Sequence, residues 1–270
     1  MEPTTGRVDA VRGHWAASDH NWTMQAFGFK DACRRGDLAE AKRCHEQGRA
    51  ALHATYPQAF KAACCNGHVE VAQWLVETGG VDVRMTIPDT FPLACGSGHM
   101  EVVKWMHGLG VCDGACIHHG FHCACENGYL RVAQWLHSLG CANIHAYAEA
   151  AFRGACYGGR LAVAQWLVAL GGTDIHAQYD EAFRSACAGG HLQVAKWLYA
   201  FGHVDIHVHS DLAFWHACQT RDYATARWLL SLDPEWDWPP TRGMEDLRNW
   251  SQPRDAWMRS VVNLPCTMSP

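Results

Sequence analysis

The stretch CDGACIHHGFHCAC concentrates the side chains that most readily do chemistry: Cys112, Cys116, His118, His119, His122, Cys123 and Cys125. Thiolate sulfur and imidazole nitrogen are zinc ligands, and Cys-x3-Cys followed by His and Cys supplies enough of them for a tetrahedral site. The competing reading is an irregular loop leading into an ordinary helix, and the pattern favours it. Cys125 belongs to a column of cysteines that recurs along the chain, whereas Cys112 and Cys116 occur only in this stretch. No metal and no cofactor is expected. No catalytic constellation emerges either: the chain has no GxSxG elbow, no phosphate-binding loop and no HExxH, and no nucleophile, base and acid can be nominated together. The expectation is a protein that is not an enzyme.

The cysteine column explains most of the 14 cysteines. Cys33, Cys64, Cys95, Cys125, Cys156, Cys187 and Cys218 each fill one slot of a repeat. Equivalent positions on stacked helical units lie about 10 Å apart. A disulfide needs Cα atoms within about 7 Å, and zinc holds each sulfur at about 2.3 Å. Cysteine in this column therefore reads as a small apolar filler in a reducing compartment.

Composition narrows the class further. Apolar residues make up 49% and charged residues 18%, with a formal charge of -5. The chain is foldable and offers no broad basic surface to nucleic acid. No apolar run reaches about 18 residues, and the start MEPTTGRVDAVRGHW lacks a leader-like apolar stretch, so no membrane association or secretion is expected. The compartment expected is the cytoplasm or another reducing interior.

The elements that must position any site repeat with a period near 31. Gly36, Gly67, Gly98, Gly128, Gly159 and Gly190 mark it, with Arg221 in the same slot of a seventh copy. Such a period signals a solenoid of short supersecondary units. Each unit opens with a short helical piece such as AFRSAC, in which Phe60, Phe91, Phe121, Phe152, Phe183 or Phe214 sits four residues before the column cysteine, on the same helix face. A glycine turn follows, then a second helix such as LQVAKWLYA with an apolar stripe. Trp74, Trp105, Trp135, Trp166, Trp197 and Trp228 recur on it and are expected to fill the core between units. The connectors GGVDV, GCANIH, GGTDIH and GHVDIH place Asp82, Asn143, Asp174 and Asp205 where side-chain hydrogen bonds hold a turn. His53, His145, His176 and His207 recur nearby in structural loop positions.

The pattern divides the chain into an N-terminal arm (1–22), seven repeats (23–232), a connector with a degenerate helical cap (233–264) and a tail (265–270). Trp250, Trp257, Met258 and Val261 are expected to cover the last apolar face.

These pieces, with FRSAC, GGHLQVAKWL and DIH as matching motifs, resemble ankyrin repeats over about residues 26–232. They are closest to a short-period form, AC-x-x-G-H-L-x-V-A-x-W-L, associated with giant viruses and protists. The resemblance implies an all-α, ankyrin-like helical-repeat solenoid. The TPLH element is absent and the unit is short, so the inter-repeat hairpins are expected to be shortened or replaced by loops. It also implies a non-catalytic scaffold or adaptor that binds another protein across several repeats, in a virion or host cytoplasm if the chain is viral.

Tyr56, Tyr147, Arg153, Tyr179, Arg184, His209 and Trp215 are the expected partner-binding residues, because aromatics and arginine most often anchor interfaces. Three alternatives stand beside this. Recruitment for a ubiquitin ligase would need more than the terminal NLPC fragment. Packing within a large particle would use the same surface. Nucleic-acid binding would need the basic slots Lys30, Lys61, Arg153 and Arg184, a track that Pro92, His122 and Trp215 interrupt.

Overall fold

The computed structural model describes residues 26–48 and 55–233, and the expected N-terminal arm, C-terminal cap and tail lie outside them. The helices are α1 (26–35), α2 (Leu38–Gly48), α3 (Tyr56–Cys65), α4 (Val69–Glu77), α5 (Val83–Ser97), α6 (Met100–Gly108), α7 (Gly114–Asn127), α8 (Leu130–Ser138), α9 (Ala146–Tyr157), α10 (Leu161–Ala169), α11 (Ala177–Ala188), α12 (Leu192–Tyr199), α13 (Val208–Gln219) and α14 (Tyr223–Leu232). No strand occurs among the described residues. The chain divides into two compact units: residues up to 124 with 131–143, and residues 125–130 with those from 144 onward.

Helix pairs in both units close in the same way. In α3, Gly67 N–H donates to the Cys64 carbonyl at 3.2 Å and His68 N–H to the Ala63 carbonyl at 3.0 Å. The same i→i−5 bond recurs from Arg160 to Ala155 (2.7 Å), His191 to Ala186 (2.9 Å) and Asp222 to Ala217 (2.9 Å). This closure satisfies the last carbonyls of the first helix and needs one left-handed residue. Gly67 and Gly159 supply it at φ +82° and +70°. Arg221 adopts φ 60° in their place, a conformation that costs a side-chain-bearing residue about 1–2 kcal/mol.

The residue after the glycine then crosses to the previous repeat. His68 Nε2 contacts the Arg34 carbonyl at 3.0 Å, and Arg160 Nε donates to the Glu126 carbonyl at 3.2 Å. Both reach 34 residues back, to the carbonyl that follows a column cysteine. The crossing side chain lies where the previous glycine has no Cβ. A Cβ on Gly67 would fall 2.6 Å from the His99 ring, and one on Gly159 2.4 Å from the His191 ring.

Within the first unit, α3 packs on α4 and α5, α5 on α6, and α4 on both α2 and α6. Within the second, α11 lies between α9 and α13, and α10, α12 and α14 each back their own first helix. The interior is the expected set of columns. Phe29, Phe60, Phe91, Phe121, Phe152, Phe183 and Phe214 are fully buried, and the seven column cysteines are buried beside them. Burial pushes the Cys33 and Cys218 thiols up to about 12, and Cys64, Cys95, Cys156 and Cys187 upward as well. They remain protonated at neutral pH and are not nucleophiles.

The tryptophan column differs from expectation. All six indoles are half-buried, not sealed. Four lie against a phenylalanine of the preceding repeat: Trp74 on Phe29, Trp105 on Phe60, Trp197 on Phe152 and Trp228 on Phe183, with ring centroids 6.2–6.3 Å apart. The indole seals the rim of a joint whose centre is phenylalanine.

Two substitutions test this account through urea-unfolding midpoints. Gly159→Ala should destabilise the chain by at least about 1–2 kcal/mol, since the left-handed backbone and the His191 ring both oppose a Cβ. Arg221→Gly should stabilise it by about 1 kcal/mol by relieving the seventh turn. An unchanged midpoint in Gly159→Ala would remove the crossing contact from the list of stabilising features.

Candidate interaction surface

The connectors of the two units differ in one residue slot, three before the column phenylalanine. In the first unit it holds Ala26 in α1, Pro57 in α3, Pro88 in α5 and His118 in α7. Proline locks φ near −65°, and Pro57 stands in the first turn of α3, whereas Pro88 lies inside α5. Asp82 caps α5 by accepting from Arg84 N–H at 2.9 Å. In the second unit the slot holds Glu149, Asp180 and Asp211, each buried at 6–7% exposure. A histidine four residues earlier meets each acid. The His145, His176 and His207 Nδ1 atoms lie 2.7, 2.6 and 2.6 Å from the carboxylates. A carboxylate only accepts, so Nδ1 carries the proton.

Between histidine and acid the backbone turns left-handed. Tyr147, Ala148 and Glu149 have φ 52°, 53° and 62°, and Gln178, Tyr179 and Asp180 have φ 55°, 58° and 57°. His209 and Asp211 follow in the seventh repeat at 53° and 65°. Three such residues in succession cost about 3–6 kcal/mol. Arginine holds the carbonyls that this turn exposes. Arg153 Nε and Nη2 donate to the Ala148 and Tyr147 carbonyls at 2.9 and 3.0 Å, and Arg184 Nε and Nη2 to the Tyr179 and Gln178 carbonyls at 3.2 and 3.0 Å. Hydrogen bonds to charged groups contribute about 1.5–3 kcal/mol each, enough to offset the strain.

The result is a rigid tip that points a side chain outward. Tyr147 is 78% exposed and Tyr179 is 74% exposed. His209 is exposed and meets the Tyr179 ring edge-on at 5.7 Å. Next to the tips, on the first helices of the second unit, runs a groove of about 220 Å³ lined by Tyr157, Glu181, Arg184, Ser185, Leu212 and His216. Arg184 joins tip and groove: its guanidinium pairs with Glu181 and bonds the tip carbonyls. Trp215 is half-buried on α13, next in sequence to the groove residue His216.

Two kinds of nominated residue therefore act differently from expectation. Tyr56 is interior, 2% exposed, with its hydroxyl on His45 Nδ1 and its ring edge-on to Phe29 at 5.3 Å. It cannot meet a partner. Arg153 and Arg184 are half-buried and hold the tips in shape. Of the groove, Tyr157, Glu181 and His216 went unnominated. Tyr157 did carry a signal, as a large aromatic in a slot where other repeats have Cys65, Gly96 and Ala188.

The Cys/His stretch is helix α7 from Gly114, with no metal-capable cluster of three or more such residues among the described residues. Its two extra cysteines answer a local need. Pro92 has no N–H, which leaves the Pro88 carbonyl of α5 without its i+4 donor. Cys116 Sγ donates to that carbonyl at 3.8 Å, and Cys112 is hydrogen-bonded to Cys116.

Helix pairs closed by a left-handed turn residue and stitched to the pair before define a helical-repeat protein. Residues 154–198 match the family model described as ankyrin repeats (many copies), and residues 47–87 match that of the ankyrin repeat, one in each unit. The chain carries ankyrin repeats in both units. No curated protein matches it. Ankyrin repeats generally mediate protein–protein interaction and are generally non-catalytic. No described helix is long and apolar enough to cross a membrane.

The seventh turn carries a pH signature. Burial pulls the His207 pKa down, but the carboxylates of Asp211 and Asp233, one on each ring nitrogen, outweigh it and hold the pKa above the ordinary 6.5. The stabilisation from this imidazolium is complete below the unfolded-state value near 6.5 and is lost as pH rises through the folded value. By NMR titration His207 should show a midpoint above 6.5, and His207→Gln should flatten the fall in melting temperature across that range. A midpoint below 6.5 would contradict the two-carboxylate geometry.

Proposed function

We propose that the protein is a non-catalytic recognition scaffold that holds an extended segment of a partner protein along the tips and groove of its second unit. The observation that carries this reading is the pair of exposed tyrosines on left-handed turns. Large aromatic side chains on a backbone held by charge-assisted hydrogen bonds lose little freedom on binding, which is how preorganised surfaces gain affinity. Tyr147, Tyr179, His209 and Trp215 are the contact residues in this reading, with Tyr157 and Glu181 of the groove added to them. Arg153 and Arg184 keep the surface in shape.

The double variant Tyr147→Ala/Tyr179→Ala separates recognition from folding. Partners captured from native lysate by the full chain should be lost from the variant, and a captured partner titrated in isolation should bind at least ten-fold more weakly. The melting temperature should stay unchanged, because neither ring is buried. A captured partner that binds both proteins equally would place the interface elsewhere.

A further inference from the structure

We propose that the partner segment is basic, an extended stretch rich in lysine and arginine; this rests on the reading of the tips and groove as the recognition surface. Charge is segregated within the second unit. Its connectors and first helices, residues 141–158, 172–189 and 203–220, hold six carboxylates: Glu149, Asp174, Asp180, Glu181, Asp205 and Asp211. Against them stand Arg153 and Arg184, which also bond the turn carbonyls, and His145, His176 and His207, which meet the three buried acids. The second helices of the same unit show the opposite balance, with Arg160, Lys196, Arg221 and Arg227 against Asp222. The described connectors and first helices of the first unit are nearly neutral, with five basic residues against four acids. The negative field therefore belongs to one face of one unit and coincides with its exposed aromatics.

The individual groups fit a cationic chain. Asp174 and Asp205 are exposed, each using one oxygen to accept from the backbone two residues on, at 3.0 and 2.9 Å, and leaving the charge at the surface. Glu181 adds a half-buried carboxylate at the groove, already paired with Arg184, so Asp174 and Asp205 are the acids open to a partner. Tyr147, Tyr179 and Tyr157 offer ring faces, and an arginine or lysine over such a face gains about 0.5–2 kcal/mol. With adjacent repeats about 10 Å apart, about six to nine extended residues span three of them. A polyanion such as nucleic acid would be repelled by the same field.

The test uses the full chain and an array of randomised peptides of about ten residues, probed at low and at high salt. Bound peptides should be enriched in lysine and arginine, and raised salt should erase most of the enrichment. Asp174→Asn/Asp205→Asn keeps the turn-holding acceptors and removes two charges. It should bind the selected peptides at least five-fold more weakly with no change in melting temperature. Selection of neutral or acidic peptides, equal binding by the Asn variant, or preferential binding of a single-stranded oligonucleotide would each overturn the proposal. The two readings fail separately. If selection of non-basic peptides still depends on Tyr147 and Tyr179, the recognition surface stands and only the basic character falls. If binding ignores the tyrosines, both fall.

Discussion

After Gly67 in the first unit and Gly159 in the second, the next side chain reaches backward to the previous repeat, and the stack there depends on that reach. His68 and Arg160 are chemically unlike, yet both contact the carbonyl at the end of the previous first helix, 34 residues earlier. The requirement is a ring or guanidinium that donates and is long enough to cross. Opposite it there must be a glycine with no Cβ in the way. One bond satisfies an orphan helix-end acceptor and couples two repeats, so closing a helix pair and docking it on its neighbour are a single event. The buried phenylalanines contribute more free energy in total, since burying each fully is favourable by about 1.5–3 kcal/mol. They are non-directional, however, and register comes from the crossing bond.

A second set of hydrogen bonds does for the surface what the crossing bond does for the stack. A left-handed turn of three side-chain-bearing residues persists only where its surroundings over-determine it. Here a histidine on one side, a buried acid within and an arginine beneath all bear on the same few peptide groups. Asp180 also accepts from Asp205 N–H of the following connector at 3.2 Å. The strained tip is thereby tied to the next repeat, so the row of tips moves with the stack and not independently of it.

The period, the glycine turns and the phenylalanine and cysteine columns were legible in the sequence because they recur and because their spacing has one helical interpretation. The place of each tryptophan was legible and its burial was not. An indole at a joint and one at the rim of that joint have the same periodicity. The bonds of the arginines were not legible for a related reason. Their value as anchors is a property of the residue type, whereas their bonds to Tyr147 and Tyr179 carbonyls exist only once the backbone between has turned left-handed. The two extra cysteines likewise had a signal in the wrong place: the missing donor is at Pro92, in the previous repeat.

Tyr56 and Tyr179 show how little separates an interior residue from a tip. Both stand four residues before the column phenylalanine of their repeat, Phe60 and Phe183. Period and residue type assign them the same role. The next residue divides them. Pro57 holds its backbone right-handed, so α3 begins at Tyr56 and the ring turns in against Phe29, in space that Gly80 leaves open. Asp180 accepts from His176 instead, the chain turns left-handed, and Tyr179 points to solvent. A repeat protein can therefore change which units present a binding residue without disturbing its columns, by exchanging proline for a histidine-bonded acid at one slot. The second unit carries that acid in all three of its connectors, and Tyr147 and Tyr179 point outward for that reason.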